Sequence, residues 1–294
     1  MSTASDDPAL APGLADTLRL GPAHLTVSHL DGSIAFYQRA LGLRLHDRNG
    51  EVAAMGAGGE DLLVLVEDAD AALGGRHAGL FHFALLLASR TELARAVLRL
   101  ASTQTRIEGS ADHGVSEAIY LRDPDDNGIE LYADRPREQW PPARHPDERV
   151  EIFTVALNMK DLMREVEDEE PREHAGEGVV MGRLHLHVGD VERGLAFYRD
   201  VLGFEIMVRL PSAAFVSAGG YHHHLGFNVW LGPDVNPPPP HTAGLRHWTV
   251  QLKSPDEVTA VRARVDETGL ETLDHGTGFL VRDPWETAVV FSVG

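Results

Sequence analysis

The chain has 294 residues, 43% of them hydrophobic, which is enough for two domains with separate cores. Its 26 basic and 45 acidic residues give a formal net charge of −19, which opposes nucleic-acid binding because phosphate backbones are also negative. The absence of cysteine excludes disulfides, thiolate metal sites and cysteine nucleophiles, so a metal would need His, Asp or Glu ligands. The sequence shows neither a long apolar run nor a secretory signal over 1–11, which predicts a cytoplasmic protein that binds no membrane.

Four units of similar pattern follow one another, each with a strand, a helix and further strands separated by glycines. In the first unit the pattern predicts a strand at 22–28, a helix at 31–41 and strands at 43–48, 51–57 and 61–67. In the second it predicts a strand at 80–88, a helix at 90–101 and strands at 105–109, 115–122 and 128–133. The third and fourth units repeat the first strand and helix at 183–189 and 191–202, and at 245–252 and 255–268.

The two halves of the chain duplicate each other. Residues around His24 and Phe36 recur at one constant offset around His185 and Phe197, and 79–83 recurs as 244–248. The intervening stretch contains several prolines and an acidic run, which are typical of a connecting segment. The sequence therefore predicts an N-terminal two-module domain at 18–135, a connecting segment at 136–180 with a helix near 158–167, and a C-terminal two-module domain at 181–294.

The order of elements, with Ser-x-Ala-Phe-Tyr-x-x-x-Leu-Gly at 33–42, resembles the glyoxalase, bleomycin-resistance and extradiol dioxygenase superfamily, also called the vicinal oxygen chelate superfamily. Two stretches are similar to the two-domain catechol 2,3-dioxygenase-like proteins. One contains His113, Tyr120, an Asp-Pro turn at 123–124 and Glu130, with Asp126 where Gly or Pro is usual; the other is 219–224. The resemblance implies an α+β fold of four βαβββ modules, forming two domains whose curved mixed sheets surround cavities.

The resemblance also implies a divalent metal, Fe(II) before Mn(II) or Zn(II), bound by the first strands of two modules and a carboxylate. It assigns ligation to His82 and Glu130, because two histidines and one carboxylate form the usual oxygenase site. The usual third position, seven residues before Asp190, holds Arg183, which keeps its proton and cannot ligate. His185 is the predicted substitute.

The third ligand depends on which modules pair. If units two and three pair, His224 is an alternative to His185, and if units one and two pair, His24 is the candidate. The fourth unit has His247 at the position of His82 but Val290 in place of the carboxylate, which predicts that this half has lost its metal chemistry. A three-histidine centre of His185, His224 and His247 is a further option.

Other roles follow from the resemblance. Tyr120 would donate a hydrogen bond to a substrate oxygen, and His113 or His187 would be the catalytic acid and base, since imidazole titrates near neutrality. Arg183 and His224 would bind the substrate, Arg183 by pairing with an anionic group. The simpler alternative makes His82 a buried core histidine and Tyr120 a core aromatic.

Three functions remain open at this point. The first is a ring-cleaving, metal-dependent dioxygenase that acts on a small aromatic diol and dioxygen, which the Tyr120 and Glu130 pattern favours. The second is a metal-dependent glyoxalase-type lyase or isomerase on the same scaffold. The third, favoured by Arg183, is a metal-free binding protein like the bleomycin-resistance proteins. The sequence leaves the substrate, the metal and the oligomeric state open, a homo-oligomer included.

Overall fold

The structure is a computed structural model that describes residues 13–145 and 148–294; the expectation for 1–11, like Pro146, lies outside these ranges. The first eleven strands are β1 Arg19–Leu20, β2 Ala23–Val27, β3 Arg44–Asn49, β4 Val52–Gly56, β5 Asp61–Glu67, β6 Gly79–Leu86, β7 Gly109–Asp112, β8 Ser116–Arg122, β9 Gly128–Asp134, β10 Val180–His187 and β11 Glu205–Leu210. The remaining strands are β12 Ala213–Ser217, β13 Leu225–Asn228, β14 Gly244–Leu252, β15 Thr272–His275, β16 Gly278–Arg282 and β17 Ala288–Val293.

Five α-helices accompany these strands in the described part of the chain: α1 Leu30–Phe36, α2 Arg90–Ser102, α3 Met159–Met163, α4 Val191–Leu195 and α5 Pro255–Glu267. Helices α1 and α4 continue into π-helical turns at Tyr37–Leu41 and Ala196–Val201, and α3 continues into a 3₁₀ turn at Arg164–Val166. The predicted helices are thereby confirmed. Among the described residues, none of these helices has the length and apolar character needed to cross a membrane.

The strands form two mixed sheets, in the orders β15-β16-β17-β14-β2-β5-β4-β3, with β1 on β14, and β11-β12-β13-β10-β6-β9-β8-β7. Antiparallel β2 and β14 join the first module to the fourth, while antiparallel β6 and β10 join the second to the third. Each sheet thus takes one module from each half of the chain. The division at 136–180 stays a prediction about the sequence repeat. Unit two pairs with unit three and unit one with unit four, so the alternative pairing of units one and two is wrong.

Local signals explain the helix positions. Ser89 caps α2 by accepting a hydrogen bond from the Glu92 backbone N–H, and Leu93, Val97 and Leu100 are its buried face. At the other end Gln104 has a left-handed φ of 53°, and the Thr105 N–H donates to the Leu100 carbonyl at 2.9 Å. Residues predicted to begin a strand at 105–109 follow directly on this turn, which closes the helix. The strand was therefore predicted too early in the chain, since β7 starts at Gly109.

The two Asp-Pro turns anchor buried tyrosines of other modules. The Tyr37 hydroxyl donates to Asp123 at 2.7 Å, and the Tyr198 hydroxyl donates to Asp283 at 2.8 Å. Burial raises the pKa of Asp283 to about 6, although the hydrogen bond from Tyr198 opposes the shift. The repeated turns therefore connect the modules.

Candidate active site

The pairing of β6 with β10 brings chemistry-bearing residues of two modules together. His82 lies opposite His185 and Ala84 opposite Arg183, while β9 places Glu130 beside Ala84. Because side chains alternate along strands, all four polar residues emerge on one face of the sheet. Their relative exposures are 7% for His82, 1% for Glu130, 2% for Arg183 and 5% for His185. Together with Tyr120, we call these residues the Arg183 cluster.

Glu130 is at the centre of the Arg183 cluster and has four donors around its two oxygens. Arg183 Nη2 and the Tyr120 hydroxyl donate to Oε1 at 2.6 and 2.8 Å. Arg183 Nε donates to Oε2 at 3.1 Å, and His82 Nε2 lies 3.2 Å from the same oxygen. Burial by itself would raise the pKa of Glu130, but the charge of Arg183 and the contact with His82 outweigh it and hold the pKa well below its usual range. Glu130 is therefore ionised and fully hydrogen-bonded.

Arg183 is embedded rather than mobile. Its guanidinium carbon lies 3.7 Å from the centre of the Tyr132 ring, and Nη1 and Nη2 each contact Ser116 Oγ at 3.4 Å. Burial opposes its charge, but Glu130 raises the pKa of Arg183 above its usual value. The cluster thus contains a permanent cation.

His113 and Tyr120 form a proton-carrying pair beside Glu130. His113 Nδ1 lies 2.9 Å from the Phe153 carbonyl, and Nε2 lies 2.7 Å from the Tyr120 hydroxyl. Since Nδ1 must donate to the carbonyl, neutral His113 and Glu130 compete for one Tyr120 proton. If His113 were protonated, Nδ1 would donate to the Phe153 carbonyl, Nε2 to the Tyr120 oxygen, and the Tyr120 hydroxyl to Glu130. Burial lowers the pKa of His113, so it is neutral at pH 7 and can accept a proton.

His185 and His187 are joined through Asn228. The Asn228 amide donates to His185 Nε2 at 2.9 Å, and its Oδ1 lies 3.0 Å from His187 Nδ1. Burial and the neighbouring His82 lower the pKa of His185 well below its usual range. Neutral His185 therefore uses its Nε2 lone pair for Asn228. His187 is half-buried and lies at the mouth of the site rather than against Glu130.

An aromatic wall that the sequence did not reveal lies beside these histidines. The register between β6 and β10 shifts around Phe81, so this residue forms a β-bulge and faces the same side as His82. Its ring centre is 4.9 Å from that of His82 and 5.5 Å from that of Trp230. A cleft of about 310 Å³ opens against Phe81 and His187. A bulge depends on strand pairing, which explains why the sequence alone did not place Phe81 here.

The run of three histidines after Tyr221 divides between two environments. His222 and His224 have ring centres 4.0 and 5.0 Å from that of Tyr221, and His224 Nδ1 contacts Ser217 at 2.9 Å. His223 instead lies against Phe215, and burial together with the charge of Arg183 lowers its pKa well below the usual range. His224, a predicted substrate-binding residue, therefore lies outside the Arg183 cluster and contacts Tyr221 and Ser217 instead.

The corresponding position in the other sheet has a different composition. His24 and His247 stack with ring centres 3.9 Å apart, and His275 lies 5.1 Å from His247. Burial, followed by repulsion from His275, lowers the pKa of His24 to about 4, and burial, followed by repulsion from His24 and His275, lowers that of His247 to about 3. Because His247 belongs to this sheet and His185 to the other, they do not form the three-histidine centre.

A family model described as Glyoxalase/Bleomycin resistance protein/Dioxygenase superfamily matches residues 19–131 and 180–291. The chain belongs to this superfamily. It is also 40% identical over 276 residues to the catechol-2,3-dioxygenase of Bacillus subtilis (strain 168), covering 92% of this chain and 95% of that protein. The expected α+β fold is confirmed, and this identity supports an oxidoreductase of the extradiol dioxygenase type.

Two solved structures show the same fold. Glyoxalase I from Zea mays is 18% identical with a TM-score of 0.57, and covers 94% of this chain and 92% of its own. The cppA protein from Streptococcus pneumoniae TIGR4 is 15% identical with a TM-score of 0.58, covering 94% and 99%. At these identities the likeness concerns the arrangement of modules only.

Superfamily membership implies a divalent metal, but the Arg183 cluster does not fit one. Within 13–145 and 148–294 no group of three or more His, Asp or Glu side chains is placed to hold a metal ion. Both Glu130 oxygens are occupied, His185 accepts from Asn228, and a guanidinium occupies the third ligand position.

Proposed function

We propose that the chain is an enzyme that acts on a small aromatic diol and dioxygen, with the diol bound at the Arg183 cluster. The observation that carries this proposal is one buried site in which a cation, Arg183, meets a phenol–imidazole pair, Tyr120 and His113. The 40% identity to a catechol-2,3-dioxygenase supports the substrate class. Ring cleavage inserts both atoms of dioxygen into the diol, so no external reductant is required.

The walls of the site suit a flat aromatic ring. Phe81, Trp230 and Phe215 surround His185 with ring centres 5.3, 5.3 and 5.6 Å away. Aromatic pairs at such distances attract each other beyond their buried area. A cleft lined by Phe81 and His187 lies on the outer side of this aromatic wall.

The polar residues can bind the diol and take its proton. Arg183 carries five N–H bonds, of which Nε and Nη2 serve Glu130, so Nη1 can donate to a diol oxygen as well as to Ser116. Arg183 favours ionisation of a diol oxygen bound at Nη1 whereas the Glu130 carboxylate opposes it, so loss of the diol proton needs a proton acceptor nearby. His113 can accept the released proton directly or through Tyr120. Protonated His113 could then donate to the Tyr120 oxygen while the Tyr120 hydroxyl donates to Glu130.

The proposal is tested by titrating catechol into the protein calorimetrically and by following oxygen consumption and ring-opened product, with and without added Fe(II). Tyr120→Phe should weaken diol binding by roughly tenfold, because it removes the hydroxyl that links the diol proton to His113. His113→Gln should move the pH dependence of binding. The matched control His241→Gln changes an exposed histidine and should leave both unchanged. If no diol binds and no oxygen is consumed under any condition, the proposed function is wrong.

A second candidate is a metal-free binding protein. The Arg183–Glu130 pair at the third ligand position favours it, because a guanidinium can recognise an anionic ligand without catalysing its oxidation. Diol binding without oxygen consumption would select this candidate over the first.

A further inference from the structure

We propose that Arg183 is a built-in cation that takes the place of the divalent metal, and that a single Arg183→His exchange converts the cluster into a metal site. The proposal does not depend on the diol substrate. It concerns only which cation neutralises Glu130.

The position of Arg183 supports this assignment. Arg183 and His82 each lie seven residues before the residue that caps the following helix, Asp190 and Ser89 respectively. Their strands pair antiparallel, so the two residues occupy equivalent positions across the local twofold relation of the modules. A histidine at 183 would therefore face the same side of the sheet as His82 and Glu130.

The bonds of Arg183 leave no acceptor for a second cation. Its fork takes one lone pair from each Glu130 oxygen, and Tyr120 and His82 contact the others. A divalent ion would have to displace the guanidinium and then share a buried site with its positive charge. Charges of one sign repel strongly where little water screens them.

The surroundings of Arg183 are shaped for a guanidinium. Tyr132 stacks beneath it, and Ser116 lies at its edge. Gly182, at the bulge of β10, has no side chain, and a Cβ there would collide with the Tyr132 hydroxyl. The glycine thus leaves room for the ring that supports Arg183. These contacts come from three strands and all serve the charged side chain.

An Arg183→His exchange would remove the competing charge and add an imidazole. His82, the new histidine and Glu130 would then supply two imidazoles and one carboxylate, the set that binds divalent first-row metals with open positions for other ligands. Arg183→Met is the matched control, because it removes the charge without adding a ligand.

The test compares full-length wild type, E130Q, R183H, R183M and R183H/E130Q after equilibration with Mn(II) and removal of unbound metal. Metal content is measured by mass spectrometry, bound Mn(II) by electron paramagnetic resonance, and thermal unfolding with and without Mn(II). We expect background metal and no thermal shift in the wild type and in R183M. R183H should hold a stoichiometric amount of Mn(II) and unfold at a higher temperature when Mn(II) is present. Both effects should be absent in R183H/E130Q.

Several results would overturn the proposal. Stoichiometric Mn(II) in the wild type that is lost on Glu130→Gln would show that Arg183 does not replace the metal. Stoichiometric binding by R183M as well as by R183H would show that no imidazole at 183 is needed, and would refute the claim that the Arg183→His exchange completes the ligand set. A folded R183H, verified by circular dichroism, that holds no metal would refute the single-exchange claim. If R183H does not fold, the wild-type comparison with Glu130→Gln still decides the first claim. None of these readouts uses a diol, so a failure here is separate from a failure of the proposed function.

Discussion

The Arg183–Glu130 pair should show strong energetic coupling, measurable with the variants Arg183→Met, Glu130→Gln and the double replacement. Both side chains are 2% exposed, and they share two hydrogen bonds of 2.6 and 3.1 Å. Each single replacement leaves one buried charge without its partner. The double replacement removes both charges at once.

The expected magnitudes follow from this burial. Two unit charges about 4 Å apart attract by about 4 kcal/mol at an effective dielectric of about 20. Removing one member of a buried pair destabilises a protein by about 3–5 kcal/mol, most of it the penalty for the charge left behind. The free energy of unfolding should therefore fall less in the double variant than the sum of the two single losses. The difference, which is the coupling free energy, should be about 2–3 kcal/mol.

The assay is equilibrium unfolding in urea at pH 7 for the wild type and the three variants, followed by circular dichroism. The slope of the free energy of unfolding against urea should stay constant, which would show that the native state keeps its compactness. A coupling free energy within about 0.5 kcal/mol of zero would refute the argument, because the two residues would then act independently.

Further predictions concern pH, the anchored tyrosines and one tight glycine. Burial lowers the pKa of His222 to about 4, so below pH 6.5 the folded state binds fewer protons than the unfolded state. The free energy of unfolding should therefore fall by about 2 kcal/mol between pH 7 and pH 5 because of this residue, and His222→Gln should remove that part of the pH dependence. Tyr37→Phe and Tyr198→Phe each remove one hydroxyl donor from a buried aspartate and should each lower the free energy of unfolding in urea by about 1–3 kcal/mol. An unchanged urea midpoint would contradict the anchoring role. Gly128→Ala would push a Cβ into the Phe81 carbonyl and should cost about 1–3 kcal/mol, whereas Gly59→Ala, which meets nothing within 4 Å, should be neutral by thermal unfolding.

Much of the local structure could be predicted from residue patterns. The α2 helix begins after Ser89 and buries Leu93 and Val97, as its spacing indicated, because capping and amphipathic periodicity act over a few residues. The β7 strand was placed too early because its start depends on how the α2 helix closes at Gln104. The expectation that His82 and Glu130 lie together needed only alternation and the parallel β6–β9 pair.

The sequence by itself determined the four modules, their helices, the superfamily resemblance and the arginine at 183. Only the tertiary structure decided that module two pairs with module three, so that Arg183 reaches Glu130, and that a bulge directs Phe81 into the site. The physical reason is that periodicity specifies which face of a strand is buried, whereas sheet edges join through backbone hydrogen bonds that every residue but proline can make. Which edges meet is set by packing across the whole chain, and that packing decides that Glu130 meets a guanidinium.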